Sequence, residues 1–245
     1  MSDGSAFSRR RFLQIGGAGV LGAGFIDPLG NFLLTGEARA EDVKTPKNGD
    51  ESLKKLMEGN KRFVNATKEG YTRRTPERRE ITAQGQNPFA VILACADSRV
   101  APEILFDQGI GDLFVVRVAG NIVNPQNYGI KGSIEFGVKA LGANLIMVLG
   151  HSACGAVAGA IQALESGTSF PGSIENIVKT IEPAVKKVKG EPGDLLENSI
   201  VSNVKFGVRK LNNSEPVIAP MVKEGKVKIV GGNYDLKTGE VTIVT

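Results

Sequence analysis

The chain of 245 residues contains no tryptophan, one histidine, two cysteines, three tyrosines and four methionines. Two cysteines allow at most one intrachain disulfide, so crosslinks are not the main support of this fold. A strong charge bias is missing too. The net charge of +4 is too mild to argue for nucleic acid. The densest charge cluster, "YTRRTPERRE" at 71–80, mixes both signs and reads as a solvated helix start or loop. Long hydrophobic runs are also absent. The mildly apolar stretch 15–26 is too short to span a bilayer comfortably, and no stable membrane anchor is expected. What is present is a composition 41% hydrophobic and 23% charged, enough for one substantial core.

The first forty residues fall outside that core. "SRRRFLQ" sets adjacent arginines ahead of the Gly-rich stretch, and "ARA" at 38–40 supplies the small-x-small pattern of a signal-peptidase site. Residues 1–40 resemble a twin-arginine signal peptide, the class read by the Tat export machinery. The expectation is an exported, periplasmic protein cleaved near Ala40. Cleavage takes four arginines and three carboxylates with it and leaves a net charge of +3. "GAGVLG" at 17–22 matches the dinucleotide pattern G-x-G-x-x-G, but it lies in the leader with no strand before it, and it is discarded.

A polar spacer, 41–50, precedes the single domain expected over 51–245. "ESLKKLMEGNKRFVNAT" places Leu53, Leu56, Met57 and Phe63 at helical spacing, which predicts an amphipathic N-terminal helix. The apolar runs in "FAVILA" (89–94), "DLFVVRVA" (112–119) and "NLIMVLG" (144–150) are continuous rather than alternating, as expected of strands buried on both faces. "APEILFDQ" and "IKGSIEFGVKAL" between them read as helices, and 153–213 is mainly helical. "KVKIVGGNYD" and "VTIV", joined by "LKTGE", predict a hairpin with Gly239 in the turn. The fold class is α/β, one domain, with an open and mostly parallel sheet flanked by helices.

Chemistry concentrates at two strand ends. Cys95 follows the first run, and His151 follows the third directly. Ligands bind at the carboxyl ends of strands in such sheets. "HSAC" sets His151 and Cys154 three apart, which predicts one face of a helix's first turn. Two thiolates and an imidazole suit a tetrahedral zinc ion with one corner free, the catalytic arrangement. By spacing alone, buried apolar cysteines, a hydrogen-bonded histidine or a disulfide remain equally open. "CADSR" weighs against these, because extended chain would align Cys95, Asp97 and Arg99 on one wall. An arginine holds a carboxylate ionised and oriented, and an oriented carboxylate beside a metal accepts a proton from bound water.

"CADSR" followed by "HSAC" resembles the signature pair of the β-class carbonic anhydrases. "DQGIGDLFVVRVAGN", "GSIEFGVKALGANLIMVLGHSACGAV" and "VKIVGGNYDLKTGEV" extend the resemblance from about residue 51 to the C-terminus. The resemblance implies zinc bound by Cys95, His151 and Cys154, and an Asp97–Arg99 dyad that orients the attacking water. Asp97 doubles as a possible fourth ligand. It implies substrate contacts from Gln86, Phe114 and Gly155, with CO2 and bicarbonate as substrates. It also implies a homodimer or higher homo-oligomer, with an N-terminal helical arm wrapping a neighbour and the pocket at the dimer interface. Phe136 stands where plant-like members often carry tyrosine. Ile92 stands where members with an inhibitory bicarbonate site carry tryptophan. Two other functions share parts of this pattern: hydrolysis of carbon disulfide or carbonyl sulfide on the same site, and non-catalytic zinc binding. Storage has no need of an activated water, and the dyad therefore favours the enzyme.

Overall fold

The computed structural model describes residues 45–66, 75–124 and 128–245. The leader and residues 41–44 of the spacer lie outside these. Five strands form one sheet in the order β2-β1-β3-β4-β5. They are β1 (Ala90–Ala94), β2 (Leu113–Arg117), β3 (Leu145–His151), β4 (Lys228–Tyr234) and β5 (Val241–Ile243). The first four run parallel and β5 turns back antiparallel on β4. β1 and β3 are buried along their whole length, which is why their sequences are continuous apolar runs. The turn between β4 and β5 carries Gly239 at φ +81°, as expected.

Helices cover both faces. α1 (Gly49–Val64), α2 (Pro76–Ala83) and the single turn α3 (Pro102–Leu105) precede β2; α4 (Tyr128–Glu135) runs into a wider π turn, Phe136–Ala140. Then come α5 (Gly155–Ser166), α6 (Ile174–Val188), α7 (Leu195–Asn212) and the short α8 (Ile218–Lys223), for which the sequence carried no expectation. One face of the sheet packs Ile130 and Ile134 of α4 and Val204, Val208 and Leu211 of α7 against Val91, Leu93, Ile146 and Val148. The other face packs Leu56, Leu105 and Phe106 against Ile92, Leu145, Met147 and Leu149. Ile92 is thus an ordinary core residue. No helix among the described residues is long and apolar enough to cross a membrane.

One local expectation is corrected. "APEILFDQ" forms one helical turn only, because Asp107 takes a left-handed φ of +45° and its carboxylate is drawn to Arg62 at 2.6 Å. The N-terminal helix α1 packs Leu56 on the sheet of its own chain. Asn60 of α1 is buried and donates to the carbonyls of Leu105 and Gly239 at 3.0 and 2.8 Å, while its Oδ1 accepts from Val241 N–H at 2.9 Å.

The strand order fixes where a ligand can enter. From β1 the chain passes to β2 on one side, then crosses back to β3 on the other. The helical connections leave in opposite directions and open a crevice between the carboxyl ends of β1 and β3. Ala94 pairs with Leu149, so Cys95 and His151 emerge on adjacent strands at that crevice.

Candidate metal centre

Cys95 Sγ, Cys154 Sγ and a ring nitrogen of His151 all lie within 4.8 Å of one another. All three residues are buried, at 4%, 1% and 0% exposure. His151 closes β3, and its Nδ1 lies 2.9 Å from Ser152 O. A carbonyl only accepts, so Nδ1 carries the proton and Nε2 presents its lone pair to the cluster. Nε2 has no hydrogen-bond partner among the described residues, which is costly for a buried polar atom unless a ligand completes it. Ser152 is anchored in turn: its N–H donates to Tyr234 O, and its hydroxyl accepts from Leu236 N–H.

Cys154 caps α5 and is not part of its first turn. Ala153 at φ +53° swings the chain from strand to helix, so His151 and Cys154 meet across a tight turn and not along a helix face. The cysteines share one proton. The Cys154 thiol donates to Cys95 and holds the Cys95 thiol down at about 4, helped by His151 and by backbone N–H groups. Cys154 is pushed up by that same bond and by burial, while the first amides of α5 pull the other way. His151 is raised: burial lowers it, but the neighbouring Cys95 thiolate and the Ser152 carbonyl outweigh burial. Two soft sulfurs and one imidazole nitrogen, preassembled around a point, fit zinc as the residues stand.

Asp97 and Arg99 sit at the mouth. β1 ends at Ala94, and Asp97 O accepts from Val100 N–H in a turn. The expected extended wall is therefore replaced by a turn that still brings the pair together. Arg99 Nε and NH2 donate to the two Asp97 oxygens at 2.9 and 2.7 Å, and the Arg99 N–H adds a third bond at 3.0 Å. This guanidinium holds the Asp97 carboxyl well below the usual carboxylate range. Asp97 Oδ2 lies 3.8 Å from His151 Nε2. Gly155 opens α5 with empty space where a Cβ would stand.

Gln86 and Phe114 lie elsewhere. Gln86 is exposed on the loop before β1. Phe114 pairs with Val91, four residues short of Cys95, or about 13 Å along the strand. Its ring lies 6.0 Å from that of Phe136. One chain does not bring these groups to the cluster. The sequence reading also assigned no role to two residues of "VRVAGN". Arg117 donates to the carbonyls of Cys95 and Asp97 at 3.1 and 2.6 Å, and Gly120 N–H donates to Cys95 Sγ at 3.2 Å. An arginine ending an apolar run on the neighbouring strand was the available signal.

The family description "Carbonic anhydrase" matches residues 90–241. Carbonic anhydrase 2 of Mycobacterium tuberculosis is 38% identical over 190 residues, covering 78% of this chain and 90% of the relative. A carbonic anhydrase of Mycolicibacterium smegmatis matches with the same identity and coverage. Among solved structures, the β-carbonic anhydrase CcaA superposes with a TM-score of 0.62 at 27% identity, covering 78% of this chain and 87% of that one. With the fold, the cysteine and histidine cluster and these relatives in agreement, the chain belongs to the β-carbonic anhydrase family.

Proposed function

We propose that this protein catalyses the reversible hydration of carbon dioxide to bicarbonate and a proton, at zinc held by Cys95, His151 and Cys154. The observation that carries the reading is the Asp97 carboxylate, pinned by Arg99 and 3.8 Å from the lone-pair nitrogen of His151. Bound zinc supplies Lewis acidity, lowering the pKa of water from about 15.7 toward ~7. The side chains do the rest. With both Asp97 oxygens engaged by Arg99, the carboxylate stays ionised and serves as a fixed acceptor that orients the attacking water. Fixed geometry of this kind replaces entropy otherwise lost in the transition state. Arg117 grips the carbonyls on either side of Ala96 and keeps ligand and acceptor in register. The open space before Gly155 leaves room for a small substrate beside the helix start.

A second copy of the chain completes the pocket in this reading. Phe114 and the exposed Phe136 form a pair at the edge strand β2. They lie too far from their own cluster to touch substrate there, and they are assigned, with Gln86, to a neighbour's cleft. Relatives from Sordaria macrospora are described as tetrameric. The leader reading stands beside this: residues 1–40 direct export through the Tat machinery, leaving a periplasmic enzyme.

The test is stopped-flow hydration of CO2 by the zinc-loaded chain, beside Cys154→Ser. Rapid hydration lost in the variant is expected; a zinc-loaded parent no faster than solvent overturns the activity. Phe114→Ala that lowers kcat/KM in a homo-oligomer supports the shared pocket. Export is tested by cell fractionation of Arg9→Lys with Arg10→Lys, which is expected to stay in the cytoplasm.

A further inference from the structure

Besides the three donor side chains, backbone N–H groups point at the cluster, among them that of Gly120 at 3.2 Å from Cys95 Sγ. A peptide N–H on a thiolate draws charge from the sulfur and tunes what it gives to a metal. The turn that presents this N–H is not one an ordinary chain adopts freely. Gly120 sits at φ +70°, and Asn121 follows at φ +43° with its side-chain amide buried and unpartnered among the described residues. Left-handed backbone at a non-glycine residue persists only where surroundings enforce it.

From within, Asn121 N–H closes the turn onto Val118 O at 2.9 Å. From outside, Asn203 Nδ2 donates to Gly120 O at 2.8 Å. Asn203 lies on α7 and is 4% exposed, on a buried face that also presents Ser199, Ile200, Val204 and Gly207. α7 can approach this closely because Gly150 has no side chain: a Cβ there would stand 2.6 Å from Val204 Cγ2. A buried amide is expensive unless it bonds, and the group it bonds is the carbonyl of the residue whose own N–H, one peptide earlier, points at Cys95 Sγ.

We propose that Asn203 is a positioning residue for the metal centre: by holding the Gly120 carbonyl it fixes the left-handed conformation of that residue, keeps the N–H of the preceding peptide on Cys95 Sγ, and so sets how strongly that sulfur donates to zinc. The inference rests on the zinc reading above. A merely structural Asn203 would move stability alone. A positioning Asn203 moves the electronic character of the metal–sulfur bond as well.

The experiment uses the full chain, stripped of metal and reloaded with cobalt(II) or zinc. The parent is expected to bind one metal and show a thiolate-to-cobalt charge-transfer band. Asn203→Leu, folded by circular dichroism, is expected to shift that band to lower energy, because the sulfur is richer in charge. Its zinc affinity, by competition with a chromophoric chelator, should fall about 10–100-fold as the ligand loses its support. An unshifted band with affinity within about twofold overturns the inference and leaves the zinc reading standing. A parent that binds neither metal overturns both. If Asn203→Leu does not fold, Asn203→Ala is measured after loading with cadmium-113. The Gly120 amide proton should couple to the metal through sulfur in the parent and lose that coupling in the variant. Coupling retained in Asn203→Ala, or absent from the parent, overturns the inference.

Discussion

Replacing Arg99 by alanine removes the two side-chain hydrogen bonds at 2.9 and 2.7 Å that span the Asp97 carboxylate, and leaves it one backbone N–H at 3.0 Å. The carboxylate can then rotate. Its Oδ2 is already 3.8 Å from His151 Nε2, so rotation by about one ångström carries it toward the metal position, where it competes with water. Misplacement on that scale costs about 100-fold in rate, and the expected loss in kcat/KM for CO2 hydration is about 10–100-fold. Stability should hardly follow, because Arg99 is an exposed side chain and exposed pairs contribute little. The pH dependence has a definite sign. Asp97 is depressed by Arg99 first, so the pair contributes stability above the ordinary aspartate value of about 3.9, and that contribution is lost as pH falls through the depressed value. The small gap between parent and Arg99→Ala should therefore close as pH drops below about 4. Stopped-flow hydration and thermal melts, with zinc content measured on the same samples, give all three quantities. A variant with full zinc and kcat/KM within about threefold of the parent refutes the role given to the dyad.

The parent should hold about one zinc per chain; Cys95→Ser with Cys154→Ser should hold almost none by elemental analysis, and stoichiometric zinc in that double variant excludes the site. His151 is the only histidine and its Nε2 faces the cluster, which leaves no imidazole to carry protons outward. Turnover at saturating CO2 should thus rise and level off with imidazole-type buffer at fixed pH and ionic strength while kcat/KM stays flat; if both ignore buffer, an internal group shuttles protons. Asn60→Leu strands two buried carbonyls and the Val241 N–H, and urea unfolding should show a loss of about 3–5 kcal/mol; a loss under about 1 kcal/mol means these groups find other partners.

Strand positions were legible because β1 and β3 are buried on both faces, and a doubly buried strand writes itself as an unbroken apolar run. Two members of the candidate metal cluster were legible for a related reason: Cys95 and His151 stand at the ends of such runs. Their convergence was expected for the wrong local cause. Spacing of three suggested a helix face, whereas a left-handed Ala153 makes the turn, and no composition rule marks an alanine for that conformation. Long-range polar bonds were invisible. Asn203 and Gly120 are 83 residues apart, and an asparagine within a helix carries no mark of the carbonyl it will meet. Gln86 and Phe114 came only from resemblance, since their place at the amino end of the sheet depends on register.

The bonds from Asn60 to Gly239 and Val241 join residues about 180 positions apart. On the ribosome α1 emerges early, and the polar part of its seat stays incomplete until the β4–β5 hairpin is made. Contacts so distant in sequence form late and slowly, and an apolar helix face left waiting is a handle for chaperones and for aggregation. A nascent chain stopped before residue 239 thus lacks the carbonyl and the N–H that seat its beginning. In this molecule the β4–β5 hairpin is the latch for a helix made about 180 residues earlier.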